Sequence, residues 1–302
     1  MFRVSGGAVE EIPGSTVPLE RGLQRLIEAN MPAIFGVRFL DTEYSTGAKH
    51  GGRIDSLGID ENGTPVIFEY KRAVNENVIN QGLFYLDWLV DHRAEFQLLV
   101  MKKLGAEEAE AIDWRSPRLV CVASDFTKYD VHAVQQMGRS IDLVRYTDFQ
   151  GELLTIELVE STKTEPGSAG EAPTPPRTGA VAAASKTVTE YLAQSPKDLA
   201  DLYGELESFI EALGDDITKK TQKNYFAFRR LRNFACVEVH PQNKNLLVYL
   251  KVDPGTVELQ PGFSRDVRSI GHFGTGDLEL RITDRDGLQR AVPLIQRSYE
   301  AS

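Results

Sequence analysis

One segment near the middle of the chain, residues 161–185, is rich in proline and glycine and contains no leucine, isoleucine or aromatic residue. A segment of this composition cannot supply a hydrophobic core, and it is typical of a flexible, partly extended linker. A chain of 302 residues is long enough for two ordinary domains. The sequence therefore predicts a first domain at residues 1–160 and a second, smaller domain at residues 186–302, joined by this linker.

The composition is that of a soluble globular protein, with 41% hydrophobic and 26% charged residues. No apolar run approaches the roughly 18–20 residues that a membrane-spanning helix requires. The first residues lack the basic and then apolar pattern of an export signal. The two cysteines, Cys121 and Cys236, lie in apolar, strand-like runs, which indicates buried free thiols in a reducing compartment. We therefore expect a cytoplasmic protein with no membrane partner.

The chain carries 34 basic and 44 acidic residues, which corresponds to a formal charge of −10. This balance lacks the overall basic surface that marks many nucleic-acid-binding proteins. It does not exclude a nucleic-acid ligand, because binding depends on the local potential and because metal ions neutralise carboxylates in a cleft. A nucleic-acid site in this chain would therefore depend on a local patch of positive potential and not on the overall charge.

The first domain mixes strand-like and helix-like patterns, which predicts an α/β fold. Two strand-like runs, Arg53–Asp60 and Thr64–Lys71, are joined by Glu61-Asn62-Gly63, and Asn-Gly at such a junction is a strong hairpin signal. The other predicted elements are helices at Val17–Asn30, at Asn75–Lys103 with a break near His92, and at Val131–Met137, and strands at Val37–Tyr44, Leu119–Ala123, Asp142–Tyr146 and Leu153–Val159.

The second domain is predicted to be an α+β unit. Its predicted elements are helices at Thr187–Leu213 and Leu288–Tyr299, and strands at Tyr225–Phe228, Cys236–His240, Leu246–Val252 and Leu278–Ile282. The glycine-rich run Gly271–Asp277 leads into a strand rather than a helix and lacks a Gly-Lys-Ser/Thr ending, so we predict a turn and not a phosphate-binding loop.

The predicted hairpin carries three residues suited to phosphodiester hydrolysis. Asp55 lies on its first strand, and Glu69 and Lys71 lie two residues apart on the second, so the strand period of 2 places them on one face. Mg²⁺ prefers oxygen ligands from one or two carboxylates, and the backbone carbonyl of Tyr70 could supply another. Lys71 could orient the attacking water and stabilise charge on the phosphate. The competing interpretation is an ordinary ion pair between Glu69 and Lys71 on a strand surface.

Gln81 and Tyr85 follow shortly after Lys71, within the predicted helix that begins near Asn75. Their spacing of four residues places them on one helical face, where an amide and a hydroxyl could contact a nucleic-acid backbone or support the carboxylates. Taken alone, the pair is more typical of the ordinary polar edge of an amphipathic helix. In combination with Asp55, Glu69 and Lys71 they favour a nuclease site.

The order of these motifs resembles the RecB-like branch of the PD-(D/E)XK nucleases, and within it the NucS-like catalytic domain. The matching residues are Glu20 on the first predicted helix, Gly52 to Asp55, Glu69 to Lys71, and Gln81 to Tyr85. The resemblance covers about residues 10–110, and extends in part to residue 160. It departs from the family pattern at Ile54, which stands where the family's name has proline.

The resemblance implies a restriction-endonuclease-like mixed sheet flanked by helices, with Mg²⁺ or Mn²⁺ as cofactor. It implies Asp55 and Glu69 as metal ligands and Lys71 as the catalytic lysine. Gln81 and Tyr85 would be supporting or DNA-contacting residues, and Glu20 would be a further metal or water contact. Relatives of this fold often act as dimers, but the sequence shows no interface for a homodimer.

A basic cluster with interleaved aromatic residues and no acidic residue lies in the second domain. Basic side chains attract phosphate and aromatic rings stack on unpaired bases, so the cluster is a candidate nucleic-acid contact. Its basic residues are Lys219, Lys220, Lys223, Arg229, Arg230 and Arg232. Strand alternation offers another interpretation, in which the aromatic residues face the core and the charges face solvent. This half of the chain also resembles an uncharacterised module that follows predicted nuclease domains.

Together these features predict a metal-dependent DNA endonuclease acting in DNA repair or in defence against foreign DNA. Two alternatives remain open at this point. One is a protein that uses a nuclease-like fold only to bind nucleic acid. The other is a nuclease that a protein partner recruits through the second domain.

Overall fold

The computed structural model describes residues 1–16, 20–47, 51–71, 78–162 and 186–302. The chain divides into two compact units, Met1–Glu171 and Ala172–Ser302. Most of the predicted linker, from residue 163 to residue 185, lies outside the described residues, as do the predicted helix starts at Val17 and Asn75. No helix in the described part of the chain is both long enough and apolar enough to span a membrane.

The N-terminal unit combines a mixed sheet with helices on both sides. Its elements are β1 (Phe2–Ser5), β2 (Ala8–Glu11), α1 (Glu20–Phe35), β3 (Val37–Ser45), β4 (Arg53–Asp60), β5 (Pro65–Lys71), α2 (Val78–Asp91), α3 (Arg93–Leu104), α4 (Ala106–Glu110), β6 (Arg118–Ala123), α5 (Lys128–Gln135), β7 (Ser140–Phe149) and β8 (Leu153–Ser161). The break predicted near His92 is confirmed, because α2 ends at Asp91 and α3 begins at Arg93.

The six strands β3 to β8 pair in chain order, with β6 parallel to both of its neighbours and the other pairs antiparallel. Alternation along β5 sends neighbouring side chains to opposite faces. Phe68 contacts Phe35 of α1 edge to face, whereas Ile67 belongs to the core formed with α2. The predicted mixed sheet flanked by helices is therefore confirmed.

The predicted hairpin is confirmed as β4 and β5, which pair antiparallel from Ile59–Pro65 to Ser56–Phe68. The loop between them is closed by Asp60, whose Oδ1 accepts hydrogen bonds of 2.9 Å from the backbone N–H groups of both Asn62 and Thr64. Gly63 has a φ of 74°, a left-handed conformation that costs glycine little. Local turn chemistry thus explains why this part of the fold could be predicted.

Some N-terminal elements differ from prediction. Helix α1 continues to Phe35, past Pro32, because Met31 and Phe35 extend its buried stripe. Strands β1 and β2 form an antiparallel hairpin that was not predicted. All of their side chains are exposed, so they lack the alternation between buried and solvated positions that identifies a strand in sequence.

The C-terminal unit is an antiparallel sheet whose one face is covered by helices. Its elements are α6 (Val188–Ala193), α7 (Lys197–Glu211), β9 (Thr218–Thr221), β10 (Phe226–Arg229), β11 (Asn233–His240), β12 (Asn245–Leu250), β13 (Ser264–Asp266), β14 (Leu278–Ile282) and α8 (Arg285–Glu300). The strand order is β13-β14-β12-β11-β10-β9, and every pair is antiparallel. The predicted second, smaller α+β fold is confirmed.

One predicted helix of the C-terminal unit, Thr187–Leu213, is instead two helices. They are separated at Pro196, which precedes α7 and is incompatible with the interior of a continuous helix. Leu202, Leu206 and Ile210 of α7 pack on Phe226 and Phe228 of β10 in the main core of this unit. Residues 271–277 form no helix and lead into β14, as predicted.

Candidate active site

The two carboxylates of the hairpin meet where the pairing of β4 and β5 ends. Beyond Ser56 and Phe68, the backbone N–H of Asp55 donates to Glu69 Oε1 at 3.3 Å, and the N–H of Tyr70 donates to Asp55 Oδ2 at 2.9 Å. Each carboxylate therefore accepts a bond from the backbone of the opposite strand. The predicted apposition of Asp55 and Glu69 is present, and it follows directly from the hairpin register.

Burial makes this pair electrostatically unusual. Glu69 is fully buried, so it is not part of a surface ion pair with Lys71. Burial, reinforced by the charge of Asp55, raises the pKa of Glu69 to about 9. Burial likewise raises the pKa of Asp55 to about 6, although the Tyr70 N–H and the charge of Lys71 act in the opposite direction. Two carboxylates in a poorly solvated site disfavour each other's charged form.

One oxygen of this pair lacks a partner. Glu69 Oε2 is buried and has no hydrogen-bond partner among the residues that the structure describes. An unpaired buried carboxylate oxygen is costly, and a bound cation would both satisfy it and favour the ionised forms of the pair. Two carboxylates with water molecules suit Mg²⁺, so the donor set fits that ion. No group of three or more histidine, cysteine or acidic side chains in the described part of the chain is arranged to hold a metal.

Lys71 lies beside this pair and is mostly buried, with 15% of its side chain exposed. Its charge lowers the pKa of both Asp55 and Glu69, although burial has the larger effect on each. Its Nζ also lies 3.7 Å from Oε1 of Glu20, at the start of α1. Glu20 thus contacts the lysine of the site, while its role as a metal ligand stays a prediction.

Helix α2 supports the start of β4 through Tyr85. The Tyr85 hydroxyl accepts a hydrogen bond of 3.2 Å from the backbone N–H of Arg53 and one of 3.4 Å from Gln81 Nε2. The prediction that Gln81 and Tyr85 share one helical face is therefore confirmed. A Cβ at Gly52 would lie 2.7 Å from the Tyr85 hydroxyl, so only glycine lets the ring approach. Tyr85 is 6% exposed, which favours support over DNA contact.

Sequence reasoning missed a polar stripe on α1 that faces the hairpin. Gln24 is buried, and its Nε2 donates to the backbone oxygen of Asp55 at 2.8 Å and to Thr42 Oγ1 at 3.1 Å. One turn later, Glu28 Oε1 accepts from Ser56 Oγ at 2.6 Å. Gln24 and Glu28 continue the spacing of four residues that starts at Glu20. That periodicity was the available signal, because it places three polar residues on one face of the helix, next to its buried stripe.

The basic cluster of the C-terminal unit is largely engaged within the protein. Arg230 Nε donates to Asp216 Oδ2 at 2.6 Å, and its guanidinium lies 4.7 Å from the ring centre of Tyr299. Arg229 is buried, and its Nε donates to Thr218 Oγ1 at 3.1 Å. Arg232 donates to the backbone oxygen of Ala301. Arg230 and Arg232 thus join the sheet to the C-terminal end of α8, whereas Arg229 links β10 to β9.

The three lysines of the cluster lie in different environments. Lys219 forms an ion pair with Glu207 and lies 4.4 Å from the ring centre of Phe226. Lys220 is half-buried on β9, and Lys223 is exposed in the turn before β10. Phe226 and Phe228 belong to the core, as the alternation argument predicted. The contacts favour a structural role for most of the cluster, while nucleic-acid binding by these residues stays a prediction.

Comparison with known proteins identifies likenesses in both units. Residues 188–302 match a family described as a domain of unknown function (DUF5655), in agreement with the expected uncharacterised module. An uncharacterized protein of Haemophilus influenzae is 26% identical over 304 residues, and the alignment covers 99% of each chain.

Two solved structures also resemble part of the chain. A repair endonuclease from Pyrococcus abyssi is 20% identical with a TM-score of 0.29, and the match covers 42% of this chain and 47% of that one. A complex of EndoMS with double-stranded DNA is 21% identical with a TM-score of 0.24, over 42% and 46% of the respective chains. The matched part thus spans less than half the length of either structure.

Proposed function

We propose that the N-terminal unit is a Mg²⁺- or Mn²⁺-dependent endonuclease of the PD-(D/E)XK superfamily, in its RecB-like and NucS-like branch. Its substrate would be DNA, in repair or in defence against foreign DNA. The observation that carries the proposal is the apposition of the half-buried Asp55 and the fully buried Glu69 beside a mostly buried lysine, with one oxygen of Glu69 lacking a hydrogen-bond partner among the described residues. A purely structural site gains nothing from a buried carboxylate with an unpaired oxygen, because its desolvation opposes folding.

The residues of the site have separable roles under this proposal. Asp55 and Glu69, with the backbone carbonyl of Tyr70, would hold the metal ion. When bound, the metal would lower the pKa of a coordinated water and stabilise charge on the phosphate. Lys71 would position the attacking water and stabilise the phosphate oxygens. Tyr85 and Gln24 would maintain the site, because each forms a hydrogen bond with the β4 backbone within two residues of Asp55.

The test is cleavage of labelled single-stranded, duplex, mismatched and branched DNA, with RNA included, in Mg²⁺, Mn²⁺ or EDTA. Asp55→Asn, Glu69→Gln and Lys71→Met should each reduce cleavage by at least about a hundredfold. Exposed residues of the same unit provide matched controls, namely Glu110→Gln and Lys102→Met, which should cleave as the unmodified protein does.

Metal binding can be measured separately from activity. Titration with Mn²⁺ should raise the unfolding temperature of the unmodified protein and of Glu110→Gln, but not that of Glu69→Gln. Loss of both cleavage and metal binding in the site variants would support the proposal. DNA binding without cleavage, unaffected by these variants, would instead support a non-catalytic binding protein.

A further inference from the structure

A cavity of about 520 Å³ lies within the C-terminal unit, beside the start of β10 and the end of β11. Glu238, His240 and Lys223 line it, together with Tyr191 of α6 and Phe273 from the loop before β14. A volume of this size is typical of sites for small molecules. All of these residues belong to the C-terminal unit, so the cavity contains no residue of the candidate active site.

The cavity contains a buried carboxylate with an unused acceptor. Val237 and Val239 pack into the core under the helices, so alternation along β11 directs Glu238 and His240 to the opposite face. Glu238 Oε2 lies 2.7 Å from His240 Nε2, and the Glu238 side chain is 8% exposed. Glu238 Oε1 has no hydrogen-bond partner among the described residues. Native proteins rarely leave such an atom unpaired, so a ligand that donates an N–H group would fit this position.

The rim of the cavity offers contacts of two other kinds. Phe273 is a large aromatic residue that is 56% exposed, and Tyr191 supplies a second ring. Lys223 is exposed, and Lys186 lies at the same rim, where its Nζ also donates to Gln194. An exposed ring suits stacking on a planar base, and the two ammonium groups suit a phosphate. One ligand would have to combine an N–H donor, a flat aromatic system and an anionic group.

We propose that this cavity binds a nucleotide, with the base stacked on Phe273, a base N–H donated to Glu238 Oε1, and the phosphate near Lys186 and Lys223. Adenine, cytosine and guanine present amino groups to an acceptor, as carboxylate contacts to cytosine illustrate. Uracil presents one N–H between two carbonyl oxygens, which a carboxylate repels. The cavity should therefore prefer bases that carry an amino group. The inference does not depend on nuclease activity.

The experiment is calorimetric titration of the full-length protein in EDTA with AMP, CMP, GMP, UMP and inorganic phosphate. We expect saturable binding of the three amino-bearing nucleotides, about tenfold tighter than that of UMP, as for one hydrogen bond to a charged group. Glu238→Gln should abolish this preference, because glutamine can also donate to uracil. Phe273→Ala, an exposed position whose change cannot disturb the core, should weaken binding of every nucleotide at least about fivefold. Lys223→Glu should weaken binding of all four nucleotides, because it replaces an ammonium group beside the phosphate with a carboxylate.

Matched controls are available in the same chain. Leu259→Ala and Lys197→Glu alter exposed residues of the C-terminal unit, and Lys71→Met alters the N-terminal site, and all three should bind nucleotides unchanged. Short single-stranded oligonucleotides test whether the ligand is a nucleic-acid strand or a free nucleotide. Tighter binding of an oligonucleotide than of its mononucleotide would indicate a nucleic-acid strand, and equal binding would indicate free nucleotides.

Three results would overturn the inference. The first is no saturable binding of any nucleotide or oligonucleotide at millimolar concentration. The second is binding of inorganic phosphate as tight as that of nucleotides, which would indicate an anion site without a base pocket. The third is nucleotide binding that Phe273→Ala and Glu238→Gln leave unchanged, or that Lys71→Met removes.

Discussion

Two pairs of ionisable residues lie on the sheet of the N-terminal unit, and they differ in kind. Between β6 and β7, Arg118 Nε donates to Asp142 Oδ2 at 2.5 Å, and Asp142 Oδ1 accepts from Ser161 Oγ at 2.6 Å. Between β4 and β5, Asp55 and Glu69 are both acidic residues, and one oxygen of Glu69 has no hydrogen-bond partner among the described residues.

This difference separates a structural use of buried charge from a functional one. Arg118 and Asp142 neutralise each other, and Ser161 supplies a further hydrogen bond to the carboxylate, so this pair needs no added ion. Glu69 is fully buried beside the half-buried Asp55, and this environment favours its protonated form unless a further cation binds. The sheet thus contains one ion pair that needs no further partner and one pair of carboxylates that is suited to binding a cation.

The largest predicted effect concerns the pH dependence of the carboxylate pair. Folding raises the pKa of Glu69 from 4.5 to about 9, so between these values the folded state retains a proton that the unfolded chain has released. Stability without metal should therefore fall as pH rises through this window, by on the order of 5 kcal/mol. Both tryptophans, Trp88 and Trp114, belong to this unit, so urea unfolding followed by their fluorescence measures it.

Two comparisons test that prediction. Glu69→Gln should remove most of the pH dependence of the unfolding free energy. Only the contribution of Asp55, whose pKa rises from 3.8 to about 6, should remain. Mg²⁺ should restore stability mainly above pH 7, because a metal binds the deprotonated carboxylates. If the unfolding free energy of the unmodified protein in EDTA does not change with pH, the proposed difference between the two pairs is wrong.

The second effect concerns the ion pair of Arg118 and Asp142. Arg118→Met should destabilise the N-terminal unit by about 3–5 kcal/mol, because it leaves Asp142 buried without its cationic partner. Arg145→Met on the neighbouring strand provides the control, since Arg145 contacts Asp125 and Glu157 near the surface and should contribute about 1 kcal/mol or less. Equal losses in the two variants, measured by the same urea unfolding, would show that burial does not distinguish these pairs.

The smallest effect concerns Tyr85, which supports β4 next to Asp55 and Glu69. Tyr85→Phe removes the acceptor for the backbone N–H of Arg53 and should cost about 1 kcal/mol. If Tyr85 positions β4, cleavage should fall by more than this loss of stability explains, while metal binding persists. Tyr129→Phe, at an exposed position, should change neither stability nor cleavage. A Tyr85→Phe protein with full cleavage would restrict Tyr85 to a packing role.

Much of the N-terminal site was accessible from local sequence. The turn chemistry at Asp60 to Thr64 sets the register of the hairpin, and this register alone places Asp55 opposite Glu69. The spacing of Glu69 and Lys71, and of Gln81 and Tyr85, follows from strand and helix periods in the same way. Gln24 was missed because its contact with Asp55 joins residues 31 positions apart.

The basic cluster of the second unit shows the opposite case. Its composition predicted a candidate nucleic-acid contact, yet Arg230 and Arg232 contact residues 69–72 positions later in the chain, near the end of α8. No local pattern encodes such a partner. The lone acceptor of Glu238 is likewise invisible in sequence, because an atom is unpaired only relative to everything packed around it.

The sequence by itself therefore determined strands β3 to β8, β10 to β12 and β14, the hairpin and the chemical identity of Asp55, Glu69 and Lys71, because these depend on turns and on periods of 2 and 3.6 residues. The tertiary structure decided which charges are buried, which are neutralised and which retain an unused oxygen. Desolvation and hydrogen bonding depend on elements that meet in space, and these two effects set the pKa of each group and the cost of leaving it unpaired.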